Sequence, residues 1–139
     1  MAVFCGEISV RSKGEADIVD ITGEVERVVG ESGIRDGIAT VSVIGATGAV
    51  TTMEYEPGLL RDFPAMLERI APKGLEYEHE KRWHDRNGHS HVRASLLGPS
   101  ITLPIKGGAL LLGTWQQIVF IELDIRARER ALAVHVIGE

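Results

Sequence analysis

Between residues 100 and 137 the chain is written almost entirely in strands. Ser100 to Ile105 reads as one strand, and Gly107-Gly108 is a hairpin turn signal. Ala109–Leu112, Trp115–Leu123 and Arg130–Ile137 follow at short intervals. In the last of these, Ala131, Ala133, His135 and Ile137 share one face, while Leu132, Val134 and Val136 share the other. A chain committed to so many strands in succession needs helices only to cover a sheet.

The earlier residues supply those helices. Residues 3–10 read as a strand weakened by Gly6. Ile21, Val25, Val28 and Val29 form an amphipathic stripe that predicts a helix over 20–33, started by Asp20 or Thr22 and ended at Gly33. Ile38 to Ile44 is a β-branched strand, and Ala49 to Met53 continues extended after Gly45-Ala46-Thr47-Gly48. Leu59, Leu60, Phe63, Met66, Leu67 and Ile70 make a second stripe. Pro64 is unfavourable inside a helix, so the expectation is a helix over 62–71, capped by Asp62, with Pro64 in its first turn. Ala94 to Leu97 reads as a short helix ended by Gly98 and Pro99, with His89 in an irregular turn before it. The pattern predicts an α+β fold: a mostly antiparallel sheet or sandwich with two or three helices, in one domain over 1–139.

Charge and cysteine content narrow the function. The chain carries 15 Lys+Arg against 20 Asp+Glu, a formal charge of -5. A nucleic-acid-binding domain would usually be basic, so no nucleic-acid partner is expected. The single Cys5 excludes a disulfide framework and a multi-Cys zinc site, and is read as packing in a reducing, cytoplasmic setting. No membrane association is expected, because no apolar run reaches the roughly 18 residues of a spanning helix. The N-terminus has no basic segment, and Glu7 falls too early for a signal peptide. Ile118–Ile121 is apolar on both faces, more than a small two-layer domain covers alone, which gives a reason to associate.

Four of the five histidines, His79, His84, His89 and His91, fall within thirteen residues. Residues 79–93 hold four basic and two acidic residues, so an acidic chain carries a local positive island suited to small anions. The alternative is a solvated basic loop. His84-Asp85 and His89-Ser90-His91 flank the Asn87-Gly88 turn signal, which lets the two halves fold toward each other. Imidazole and carboxylate donors in that number suit zinc and similar divalent ions, with Asp85 as a ligand or as the orienter of a ligating imidazole. Histidines that cap a helix and bond backbone are the structural alternative. Gly45-Ala46-Thr47-Gly48 offers backbone N–H groups and a hydroxyl to a phosphate or carboxylate, or is a plain bulge. Glu54 lies just downstream as a candidate base or ligand. Trp115 and Gln116 present a flat face and an amide, which suit a heteroaromatic ligand, a core position or a subunit interface.

Several of these runs carry a resemblance. Trp83-His84-Asp85, the run from Asn87-Gly88-His89-Ser90-His91-Val92-Arg93 to Ala94-Ser95-Leu96-Leu97-Gly98-Pro99-Ser100, and Gly113-Thr114-Trp115-Gln116-Gln117-Ile118 resemble the YjbQ family, often named secondary thiamine-phosphate synthase, over nearly the whole chain. The resemblance implies a small α+β fold, a homotrimer and weak thiamine phosphate synthase activity. One departure is visible. Where many members carry Pro-His-Thr-Thr-Ala, this chain reads Ile44-Gly45-Ala46-Thr47-Gly48, so Gly45 stands at the histidine position. Thr47 and Glu54 match the family's second Thr and following Glu.

Two functions follow as expectations. The first is an enzyme that joins a pyrimidine pyrophosphate to a thiazole phosphate. Arg82 and Arg93 would hold phosphate, Trp115 with Gln116 would hold the ring, and Thr47, Gly48 and Glu54 would line the wall. His84, Asp85, His89 and His91 would serve acid–base chemistry, and the three histidines would hold zinc or magnesium. The second is a non-catalytic, metal- or anion-binding trimer.

Overall fold

In a computed structural model that describes residues 1–139, the strands form two antiparallel sheets and the helices fill the space beside them. The order is β1 (Ala2–Arg11), β2 (Asp17–Asp20), α1 (Thr22–Ser32), β3 (Gly37–Val43), β4 (Gly48–Met53), α2 (Leu59–Ile70), α3 (Glu78–Trp83), α4 (Gly88–Leu97), β5 (Ser100–Lys106), β6 (Ala109–Leu110), β7 (Gln117–Glu122) and β8 (Glu129–Gly138). The five-stranded sheet runs β1-β8-β3-β5-β6, and the three-stranded sheet runs β2-β7-β4. The fold is α+β, as the strand series and the two stripes predict.

Register follows side-chain alternation. β8 pairs with β1 from Ala2↔Gly138 to Arg11↔Glu129, and with β3 from Gly37↔Gly138 to Val43↔Leu132. That register turns Leu132, Val134 and Val136 inward, where all three are fully buried. They meet Val25, Val28 and Val29 of α1, together with Ile118 and Phe120 of β7. The opposite face of β7 puts Val119 and Ile121 into a second core with Leu67 of α2 and Ala94 of α4. β7 is therefore buried on both faces inside one chain, so its apolar run gives no reason to associate. The packing is three-layered, not two-layered.

Other expectations need revision. The second helix starts at Leu59, a turn before Asp62, because the Glu56 carboxylate accepts hydrogen bonds from the N–H groups of Gly58 (2.8 Å) and Leu59. Pro64 then lies beyond the first turn, where its missing N–H forfeits one ladder bond. The last helix begins at Gly88, so His89 is helical rather than in a turn. β2 and α3 are too short to leave a periodic signal. Cys5 is exposed, not packed. No helix is long and apolar enough to cross a membrane.

A buried ionic network links the two sheets. Arg130 of β8 donates from Nε (2.8 Å) and Nη2 to Glu122 of β7, and from Nη2 to the Thr47 hydroxyl at 2.8 Å. Glu122 also accepts from Ser12 Oγ at 2.8 Å. Asp124 accepts from Thr47 Oγ1 at 3.1 Å and from Arg128 at 2.7 Å. Burial opposes ionisation of Asp124, but the Ile125 N–H and Arg128 hold its pKa below the ordinary value.

Candidate functional site

The histidine island folds as α3, a tight loop and α4. Gly88 makes the close approach of the two helices: its N–H donates to Glu80 Oε1 at 2.5 Å, and a Cβ there would meet that oxygen and Tyr77 Cβ at 2.6 Å each. His84 ends α3 in the left-handed conformation (φ 58) and is exposed. His89 and His91 lie two apart on α4, so they diverge by about 200° around its axis.

His89 is 2% exposed, and its Nε2 is hydrogen-bonded to Glu15, which precedes β2. Because that carboxylate accepts, Nε2 carries the proton and Nδ1 is left without a protein partner. Lys73 Nζ lies 2.8 Å from the other Glu15 oxygen. Burial opposes ionisation of Glu15, yet the hydrogen bonds from Lys73 and His89 outweigh it and hold its pKa below the usual glutamate value. Arg93 is buried behind the pair. Its Nε donates to the Ala71 carbonyl at 2.9 Å and its Nη2 to Glu68 at 2.7 Å, so most of its guanidinium is spent inside the protein.

His91 turns the other way and packs on His79, with ring centroids 4.5 Å apart. His79 Nδ1 lies 3.3 Å from Asp85 Oδ1 and 3.4 Å from Glu80 Oε1. The ligand atoms of His79, Glu80 and Asp85 all lie within 4.8 Å of one another. This is the set of donors that converges. His84, His89 and His91, expected to share a metal, do not gather, because α4 sends two of them in opposite directions and α3 leaves the third in solvent. One imidazole and two carboxylates suit zinc, which takes mixed nitrogen and oxygen ligands, better than magnesium, which prefers oxygen alone.

A cavity of about 290 Å³ opens beside this cluster, lined by Lys73, Gly74, Leu75, Glu80, Arg86 and His89. Two full cations and an imidazole thus face one space, with Glu80 shared with the His79 cluster. The remaining predicted residues lie apart from it. Trp115 is 72% exposed, which excludes a core role, and shares a groove with Glu54, Tyr55 and Asp20. The Gln116 side chain accepts from the Gly113 N–H and donates to Thr52 Oγ1. The Arg82 guanidinium sits 5.5 Å from the Trp83 ring centre. Thr47 is tied into the ionic network. Sequence reasoning missed Glu15, Lys73, His79, Glu80 and Arg86 as site residues. His79, Glu80 and Arg86 lay within the island and could have been included, but Glu15 is 74 positions from His89 and leaves no local signal.

An α+β protein with two antiparallel sheets and a histidine–carboxylate cluster at the junction of two short helices is the class so defined. A family described as UPF0047 protein YjbQ-like matches residues 6–139, and the chain belongs to that family. It is 41% identical over 139 residues to a UPF0047 protein of Methanothermobacter thermautotrophicus, spanning 100% of this chain and 95% of that protein. It is 30% identical over 133 residues to the UPF0047 protein YugU of Bacillus subtilis, spanning 94% of this chain and 97% of that protein. A YbjQ-like protein of Sulfolobus solfataricus has the same fold, with a TM-score of 0.95, 34% identity and 99% of both chains covered. A YjbQ/UPF0047 protein of Clostridium acetobutylicum superposes with a TM-score of 0.86 at 36% identity, over 95% of this chain and 99% of that chain.

Proposed function

We propose that the protein binds a phosphorylated small molecule and a divalent metal, zinc before magnesium, and transfers a group between such molecules in the manner of a thiamine phosphate synthase. The observation that carries this reading is the cavity where Lys73, Arg86 and His89 converge beside the His79–Glu80–Asp85 donors. Lys73 and Arg86 would hold phosphate oxygens. Glu15 fixes His89 so that Nδ1 accepts or returns a proton at the cavity wall. A metal held by His79, Glu80 and Asp85 would supply charge neutralisation for a departing pyrophosphate. The exposed Trp115 is proposed as a stacking surface for a ring, with Gln116 and Glu54 nearby. We further propose a cytoplasmic homotrimer, supported by the family resemblance, the free thiol of Cys5 and the uncovered outer face of the larger sheet, where Val3, Ile38, Ile44 and Ile137 are exposed.

Elemental analysis of the purified protein tests the metal, with Asp85→Asn and His79→Ala as variants expected to lose it. Incubation with the pyrimidine pyrophosphate and thiazole phosphate, read by product chromatography, tests the reaction. His89→Ala is expected to abolish product while keeping metal. Binding without product selects a non-catalytic metal- and anion-binding protein, a reading favoured by the direct contact of Lys73 with Glu15, which occupies one of the two cavity cations. Unchanged metal content in both variants and no ligand binding overturn both readings.

A further inference from the structure

The His79–Glu80–Asp85 donors and the cavity beside them share parts. Glu80 belongs to both: its carboxylate is one of the three groups that converge, and it walls the space lined by Lys73, Arg86 and His89. Asp85 and Arg86 are consecutive, so one donor of the cluster and one cation of the cavity ride on the same turn between α3 and α4. On either side of Asp85, His84 and Arg86 hold φ of 58 and 59, the left-handed region that residues with a Cβ avoid. Lys73 is paired with Glu15, whereas Arg86 is exposed and makes no ion pair. Without a metal, charge at this place opposes an anion. Glu80 and Asp85 hold like charges within 4.8 Å of each other, and with Glu15 they outnumber Lys73 and Arg86. The Gly88 N–H donates to Glu80 Oε1 and keeps that carboxylate at the wall.

We infer that the metal assembles the phosphate site, so that metal and phosphate ester each tighten the other's binding. The inference rests on the function proposed above and adds the coupling between its two ligands. Two contributions produce it. The first is electrostatic. A divalent ion on His79, Glu80 and Asp85 neutralises the carboxylate at the cavity wall and reverses the local balance of charge, which then favours an anion. Because the two sites meet at Glu80, the ion acts well within the distance over which salt screens charges. The second is geometric. An ion that holds Asp85 fixes the left-handed turn, and with it the direction in which Arg86 leaves the backbone. Less freedom is then lost when the guanidinium closes on phosphate oxygens. His89 and its Glu15 partner lie outside the metal set and serve the cavity in both states.

The test is calorimetric titration of phenyl phosphate into chelator-treated protein and into the same protein carrying one equivalent of zinc. Competition with a chromophoric chelator measures zinc affinity with and without phenyl phosphate. The zinc-loaded protein should bind the ester about tenfold more tightly, and the ester should tighten zinc by the same factor, as linkage requires. Glu80→Gln keeps an acceptor for the Gly88 N–H and removes the charge. It should bind zinc more weakly, yet in the metal-free state it should bind the ester about threefold or more tightly than the wild type does. Arg86→Gln should weaken the ester about tenfold or more in the zinc-loaded protein, and should leave zinc affinity without ester within about twofold. Zinc and ester that both bind without affecting each other overturn this inference and leave the proposed function standing. A metal-free Glu80→Gln protein that binds the ester no more tightly than the wild type overturns it, as does a zinc-loaded Arg86→Gln protein with unchanged ester affinity. A wild-type protein that takes neither zinc nor ester, or only one of them, overturns the proposed function and this inference with it.

Discussion

Replacing Glu122 by leucine should destabilise the protein by about 3–5 kcal/mol, the usual loss when one partner of a buried ion pair is removed. Glu122 is fully buried and accepts four hydrogen bonds: from Ser12 Oγ, from Arg130 Nε and Nη2, and from the Asp124 N–H. Leucine matches its volume closely, so cavity formation adds little. The cost arises because Arg130 keeps its charge while Thr47 becomes its only acceptor. Against a typical total of about 5–15 kcal/mol, that loss is a third or more of the stability. The double variant Glu122→Leu/Arg130→Met removes both charges. It should be more stable than either single variant, with a residual deficit of about 1–3 kcal/mol for the buried Asp124 N–H, which loses its acceptor while Ser12 keeps Arg128 and Thr47 keeps Asp124. Urea denaturation at neutral pH and one fixed protein concentration measures all four proteins, since any association adds to apparent stability. A double variant weaker than both singles, or a Glu122→Leu loss below about 1 kcal/mol, would show that water reaches the pair and would refute the reasoning.

Acid should weaken the fold through Glu15 and Asp124, whose pKa values are held below their ordinary 4.5 and 3.8. A depressed folded pKa means the unfolded chain binds more protons, so this stability is fully present above the ordinary values and is lost as pH falls through the depressed ones. Urea midpoints measured down that range should fall less steeply for Glu15→Gln and Asp124→Asn than for the wild type. Gly88→Ala should cost about 1–3 kcal/mol by overpacking against Tyr77 and Glu80, and should lower metal content; a stable variant with full metal would contradict the close approach. Phe120→Ala should cost about 3–5 kcal/mol in thermal or chemical denaturation, because the ring is fully buried between the sheets; a cost below about 1 kcal/mol would contradict that packing.

Elements with a repeating pattern were legible before any coordinates. Val25, Val28 and Val29 are buried as their spacing demands, and the alternation of β8 is reproduced residue by residue. Four-residue β2 and six-residue α3 are shorter than the window in which a period shows, so they escaped. The start of α2 was misplaced because a side chain from outside the helix, Glu56, satisfies its first donors. The candidate site was legible in its address and not in its membership. Clustered histidines marked the right segment, but which imidazoles converge depends on whether His89 and His91 sit on a helix or a strand. Glu15 and Lys73 reach His89 only through tertiary packing, and Arg130 meets the loop after β3 because β8 pairs with β3 in the larger sheet. Such partners share no spacing rule with the residues they meet.

The place of β8 in the larger sheet has a consequence for synthesis. It is the last strand in chain order, yet it lies between β1 and β3, pairing with both along most of their length. Until residues 129–138 have emerged, β1 has no neighbour, and β3 has only β5. During translation those strands therefore present open edges, the state most exposed to pairing with other chains. The larger sheet closes only when this late segment inserts between two waiting strands, a pairing of high sequence separation and so a slow one. Anything that delays or removes that segment should thus produce aggregation rather than a smaller folded protein.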